Sequence, residues 1–125
     1  MFIKKEVFKR IGYLDERFFL YYEDVDFCLR AKEVGFECCF VQESMVYHIG
    51  STSTIVGSPL HTYYNARNRL LFLEKYSSTA AKIIEIIMLI KTTLRFLIKR
   101  QRQDKFVLLG LKDYLLRNFG QNYNI

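Results

Sequence analysis

The chain has 125 residues, half of them hydrophobic, which is enough for one domain with a buried core and argues against disorder. Its formal charge of +6 is uneven, because residues 1–50 hold 7 Lys and Arg against 9 Asp and Glu, leaving 12 against 4 for residues 51–125. Such asymmetry is typical of proteins that meet an oppositely charged partner, either nucleic acid or an anionic membrane surface. No nucleic-acid-binding signature accompanies the charge, so we do not expect a nucleic-acid partner.

The three cysteines, Cys28, Cys38 and Cys39, form neither a C-x-x-C motif nor an even set. A disulfide scaffold and a zinc site are therefore both disfavoured, and buried reduced thiols are expected instead. No secretory signal is visible in the first residues. We therefore expect a cytoplasmic protein, peripheral on the inner face of the cytoplasmic membrane if it meets lipid.

The first predicted elements are two short helices. Residues 1–12 predict one or two helical turns, with apolar positions spaced i,i+4 and a glycine at the end. Residues 23–34 predict a second helix, in which Asp26 and Arg30 form an i,i+4 ion pair.

An aromatic run over residues 18–22 leads directly into the carboxylates Glu23, Asp24 and Asp26. In the first turn of a helix these acids would be ionised, because free backbone N–H groups and the helix dipole favour negative charge there. The D-x-D spacing suggests a metal pair, but residues i and i+2 of a helix diverge by about 200° and do not face one ion. Two interpretations remain: the acids cap the helix, or one of them takes a proton from a hydroxyl.

Residues 36–41 and 45–49 are aromatic and β-branched enough to predict two strands, followed by a hydroxyl-rich loop over residues 50–58. His48 lies at the end of the second predicted strand, where it suits a metal ligand or a proton carrier. A structural histidine is the alternative.

Ser58 followed by Pro59 matches an N-cap and first helical residue, so the sequence predicts a helix over residues 59–76. Tyr64, Arg67 and Asn68 share one face of it. The planar guanidinium of Arg67 could pair with a diphosphate, or the face could be ordinary solvated surface.

Residues 79–100 and 106–117 predict two amphipathic helices. Charges interrupt the first one often enough to exclude a spanning helix. Basic residues between the two helices fit a hairpin resting on anionic lipid, whereas a hairpin that covers a sheet or forms a dimer interface fits the apolar pattern equally well.

Taken together and in order, these segments resemble the C-terminal portion of family 2 glycosyltransferases, the rhamnosyltransferase-like bacterial enzymes of the GT-A fold. The resembling segments are residues 8–16, residues 18–30, Gly35, His48 with Gly50 and Ser51, and residues 63–68. The resemblance implies an α/β fold class: a partial GT-A-type fold, the C-terminal half of a Rossmann-like nucleotide-sugar transferase, followed by amphipathic helices. The two parts would be an acceptor-side catalytic part over residues 1–76 and a basic helical hairpin over residues 77–125.

The activity that the resemblance implies is inverting transfer of a sugar from a nucleotide diphosphate sugar to a hydroxyl of a glycan or lipid-linked acceptor, in cell-surface polysaccharide or glycan synthesis. It implies Asp24 as the catalytic base with Glu23 beside it, and His48 as a ligand of a divalent metal, Mg²⁺ or Mn²⁺. The residues implied to bind substrate are Asp15, Glu16, Tyr64, Arg67 and Asn68.

One departure from the family limits this interpretation. Family members carry an upstream βαβ nucleotide-binding half with its own D-x-D, which supplies the main metal ligands, and here only Met1 precedes Phe2. We therefore expect a truncated or split enzyme with negligible activity alone. Because the half-sheet that the resemblance implies would have an open edge able to pair with itself, we expect a homodimer. The alternative is a non-catalytic module that binds a membrane surface or a partner, with a vestigial acidic site.

Overall fold

The computed structural model describes residues 2–47, 55–99 and 104–122. Within these ranges all regular structure is helical, and no strand occurs. The elements are α1 (Lys5–Ile11), α2 (Glu23–Glu33), α3 (Pro59–Tyr76), α4 (Thr79–Lys99) and α5 (Asp104–Leu115).

The predicted α/β fold with a partial GT-A-type sheet is therefore wrong for the described structure. Strands were predicted over residues 36–41 and 45–49, but residues 36–41 and 45–47 are irregular, and Phe40 and Tyr47 are each 91% exposed. Residues 48 and 49 lie outside the described residues. The physical reason is that β-propensity mainly reflects packing against neighbouring strands, and a lone hairpin is marginal in water. In the described residues no second strand pairs with these segments.

The helices match the predicted ones closely, because their boundaries are set by local residues. At the start of α3 the Ser58 hydroxyl accepts a hydrogen bond from His61 N at 3.2 Å, and Pro59 is the first helical residue. This confirms the predicted N-cap. Gly12 and Gly35, which follow α1 and α2, have positive φ angles of 75° and 88°.

The helix α3 is the centre of the larger packed unit, in contact with both α5 and α4, which also contact each other. The buried apolar side chains of α3 are Tyr63, Tyr64, Ala66, Leu70 and Leu71, and Val107 adds to them from α5. Gly110 makes the close α3–α5 approach possible, since a Cβ on it would lie 2.7 Å from the Tyr63 carbonyl oxygen.

A smaller core joins α1 to α2 through Val7, Phe27 and Ala31. Arg30 reinforces the junction by donating hydrogen bonds to the carbonyl oxygens of Ile11 and Tyr13, at 2.7 and 2.8 Å. In the three described ranges, none of the helices is both long and apolar enough to cross a membrane.

Candidate functional site

The aromatic run of residues 18–22 forms a turn with an unusual backbone. Phe19, Tyr21 and Tyr22 have φ angles of 59°, 67° and 73°, in the left-handed region that bulky residues rarely adopt. Each such residue costs on the order of 1–3 kcal/mol unless the surroundings enforce the conformation. The turn leads into α2 and so sets the position of the acidic residues in its first turn.

Asn68 of α3 holds this turn from inside the protein. Its Nδ2 atom donates hydrogen bonds to the carbonyl oxygens of Phe18, Leu20 and Tyr21, at 2.6, 2.7 and 3.1 Å. Asn68 is completely buried, and the Phe18 oxygen also accepts hydrogen bonds from Leu20 N at 2.7 Å and from Arg67 Nη2 at 3.2 Å.

Arg67 extends the same support to the C-terminal segment. It is 1% exposed, and its guanidinium donates hydrogen bonds to four carbonyl oxygens, those of Arg17, Phe18, Asn118 and Gly120. The guanidinium also packs against the ring of Tyr64, 4.8 Å from its centroid.

The predicted substrate-binding residues Tyr64, Arg67 and Asn68 are thus brought together, but inside the protein rather than on its surface. The Tyr64 hydroxyl accepts a hydrogen bond from Asn122 N at 2.8 Å. What the structure shows for all three is support of the loops around the site. Contact between Arg67 and a diphosphate stays a prediction.

The two predicted catalytic acids face different surroundings. Asp24 is exposed, and its Oδ1 atom accepts a hydrogen bond from Val25 N at 2.8 Å. Glu23 is half-buried, and its Oε2 atom is buried with no hydrogen-bond partner in the described part of the chain. Burial raises the pKa of Glu23 above its ordinary value, and the nearby charge of Asp24 raises it further.

A cleft of about 390 Å³ opens beside Glu23. Its lining residues are Leu14, Asp15, Glu16, Phe19, Glu23, Gly120 and Gln121. The predicted acceptor-site residues Asp15 and Glu16 therefore share one cleft with Glu23, while Asp24, its neighbour in sequence, is outside the lining. Phe19 supplies an aromatic wall, which suits the apolar face of a sugar ring.

Asp15 differs from Glu23 in its charge state. Its carboxylate accepts hydrogen bonds from Arg17 Nη2 at 2.7 Å and from Lys75 Nζ at 2.9 Å. The hydrogen bonds from Arg17 hold the pKa of Asp15 well below its usual range, and Lys75 adds to this effect against the opposing effect of burial. The cleft thus combines a firmly ionised carboxylate with one that keeps its proton to higher pH, a pairing found in sites for proton transfer.

Asp26 forms a buried ionic cluster under the first turn of α2. It accepts hydrogen bonds from Arg30 Nε at 2.8 Å, from the Tyr76 hydroxyl at 2.7 Å and from Lys75 Nζ. Burial acts to raise the pKa of Asp26, but these three donors outweigh it and the pKa is lowered. The predicted Asp26–Arg30 pair is confirmed.

Lys75 and Tyr76 were missed by sequence reasoning. They lie at the end of α3, 49 and 50 residues from Asp26 in the chain, and no local spacing signals such a contact.

His48, the predicted metal ligand, lies outside the described residues. Among residues 2–47, 55–99 and 104–122, no group of three or more His, Cys, Asp or Glu side chains is placed to hold a metal ion. The residues present there do not by themselves fit the divalent metal that the resemblance implies.

Comparison with known proteins finds relatives among sugar transferases. The chain is 37% identical over 73 residues to the low-salt glycan biosynthesis hexosyltransferase Agl10 of Haloferax volcanii, covering 57% of this chain and 24% of that protein. It is 36% identical over 102 residues to the dTDP-rhamnosyl transferase RfbF of Shigella flexneri, covering 74% of this chain and 34% of that protein. No protein-family model and no solved structure matches the chain.

The matched part of the chain spans about a quarter of the length of the first of these relatives and about a third of the second. The matches show a relationship to glycosyltransferases.

Proposed function

We propose that the chain is the acceptor-side part of a family 2 glycosyltransferase, which transfers a sugar with inversion from a nucleotide diphosphate sugar to a hydroxyl of a glycan or lipid-linked acceptor. The observation that carries the proposal is the Glu23-Asp24 pair in the first turn of α2, next to a cleft with an aromatic wall. The relationship to a hexosyltransferase and a rhamnosyl transferase supports the same reaction class.

In this proposal Asp24 is the general base. Its exposed carboxylate takes the proton of the acceptor hydroxyl as the hydroxyl oxygen bonds to the anomeric carbon, and the bond to the diphosphate breaks with its electron pair leaving on the diphosphate.

The cleft beside the pair would hold the acceptor. Asp15, ionised and fixed by Arg17 and Lys75, would accept hydrogen bonds from sugar hydroxyls, and Glu16 lies at the same cleft. Asn68 and Arg67 would contribute by keeping the turn of residues 18–22 in shape.

Nucleotide recognition and the main metal ligands would come from the remainder of such an enzyme, since the described residues provide no metal centre. When bound, a divalent cation would offset negative charge on the leaving diphosphate.

The test is a fusion in which this chain replaces the matching C-terminal part of the Shigella dTDP-rhamnosyl transferase. The fusion, the isolated chain and the parent enzyme are each incubated with Mg²⁺ or Mn²⁺, a panel of nucleotide sugars and the parent's acceptor. We expect transfer with inverted anomeric configuration by the fusion and negligible transfer by the isolated chain.

Glu37→Gln in the fusion is the control for the effect of removing an acid elsewhere, because Glu37 is exposed and outside the cleft. It should leave transfer unchanged. A folded fusion without transfer, beside an active parent, would contradict the proposal. Retention of configuration would contradict the mechanism.

A further inference from the structure

The helix α4 presents its apolar side to solvent. Six large apolar side chains on it are each between 44% and 61% exposed: Ile83, Ile84, Ile87, Met88, Ile90 and Leu94. At 100° per residue these positions fall on one side of the helix and form a stripe about 17 Å long. We call these six side chains the α4 stripe.

The opposite side of α4 faces the protein and is more polar. Glu85 lies there and pairs with Arg69 of α3 at 2.9 Å, and Lys82, Ile86 and Leu89 are half-buried. An ordinary amphipathic helix buries its apolar side against its own core. The reversed arrangement in α4 indicates that something outside the described structure covers the stripe.

Charge distinguishes the possible partners. Between Ile86 and Gln103 the sequence holds five basic residues, namely Lys91, Arg95, Lys99, Arg100 and Arg102, and no acidic one. Lys91 is exposed on the same side of the helix as the stripe. A second copy of the chain docked through this face would bring two such basic segments together, which costs rather than gains free energy.

We propose that the α4 stripe is a docking surface for an anionic lipid bilayer. In this arrangement α4 lies in the plane of the interface, with the stripe at the acyl boundary and the exposed Lys91 at the lipid phosphates. The inference is independent of the proposed transferase activity, because it uses neither the cleft nor the acidic pair.

The experiment is co-sedimentation of the full chain with vesicles of phosphatidylcholine alone or of phosphatidylcholine with 30% phosphatidylglycerol, at low and high salt. We expect binding to the anionic vesicles at low salt, weakened by salt and at least tenfold weaker on neutral vesicles.

Two variants with matched controls locate the contact. Ile84→Gln with Ile87→Gln should weaken binding at least tenfold, whereas Ile55→Gln with Val56→Gln, at residues exposed outside α4, should leave it unchanged. Lys91→Gln should weaken binding about threefold to fivefold on anionic vesicles, and the exposed control Lys32→Gln should not.

The proposal is overturned by absence of binding to anionic vesicles at low salt, or by equal binding of the stripe variant and its control. Light scattering of the same samples tests whether a second copy of the chain covers the stripe instead. If the stripe variant turns a dimer into a monomer while lipid binding is absent, a second copy covers the stripe and the lipid proposal is wrong.

Discussion

Asn68 offers the sharpest test of how the turn before α2 is held. Replacing it with alanine removes an amide that donates to three carbonyl oxygens, two of them at 2.6 and 2.7 Å and the third at 3.1 Å. A net hydrogen bond contributes about 1 kcal/mol, and a carbonyl left without a partner costs about 1–3 kcal/mol. The Phe18 oxygen keeps its hydrogen bonds from Leu20 N and Arg67 Nη2, so it loses one bond without being left unpaired. The three left-handed residues of the turn store strain that relaxation would recover in part.

We therefore expect Asn68→Ala to lower the free energy of unfolding by about 3 kcal/mol, within the range for loss of a buried hydrogen-bond network. The measurement is urea unfolding followed by far-ultraviolet circular dichroism, with the m-value compared between variants. Asn68→Asp should be at least as damaging, because it keeps the shape but turns a carboxylate oxygen toward the same carbonyl oxygens.

Asn65→Ala on the same helix is the matched control, since in the part of the chain that the structure describes the Asn65 amide has a hydrogen bond to the His61 ring, at 3.2 Å, and none to the turn of residues 18–22. It should change the free energy of unfolding by less than about 1 kcal/mol. If Asn68→Ala were as mild as this control at an unchanged m-value, the turn would not depend on Asn68 and the reasoning would be wrong.

Two further predictions concern packing and pH. Gly110→Ala should lower the free energy of unfolding, measured in urea, by about 1–3 kcal/mol, because the added Cβ would lie 2.7 Å from the Tyr63 carbonyl oxygen and force α5 away from α3. An unchanged free energy of unfolding would contradict the close contact. Because folding lowers the pKa values of Asp15 and Asp26, the stability they contribute is present above their unfolded pKa values near 3.8 and is lost as pH falls through the folded ones. The free energy of unfolding, measured from pH 6 down to pH 2, should show this loss, and it should depend less steeply on pH in Asp26→Asn. The same pH dependence in Asp26→Asn as in the unmodified chain would contradict the role given to the ionic cluster around Asp26.

The helices were predictable because their signals are local. The predicted bounds of α3 agree with Pro59–Tyr76, since a capping serine and a proline fix its start. The strands were not predictable in the same way, because residues 36–47 need neighbouring strands for pairing, and the described structure supplies none.

The same difference between local and long-range interactions applies to the site. The Asp26–Arg30 pair follows from i,i+4 spacing, and the structure confirms it. Four acceptors of Arg67 are backbone carbonyls about 50 residues away, which no spacing reveals.

A signal for the burial of Arg67 was nevertheless present. Tyr63, Leu70 and Leu71 lie on its face of α3 at helical spacing, so the apolar pattern placed Arg67 inside. A cation among apolar positions on one helix face indicates a buried group with many hydrogen-bond acceptors. The sequence therefore supported burial of Arg67 as well as the surface interpretation.

The most direct test of the central claim is the transfer rate of the fusion enzyme carrying Asp24→Asn, beside Glu23→Gln and the Glu37→Gln control. With Asp24 as the general base, Asp24→Asn should lower kcat by about 10²- to 10⁴-fold with little change in KM for the donor, while the control stays at the rate of the unmodified fusion. If Asp24→Asn keeps more than about a tenth of the rate, the base lies elsewhere and the assignment is contradicted. A large loss for Glu23→Gln alone would place that role on the half-buried carboxylate in the cleft.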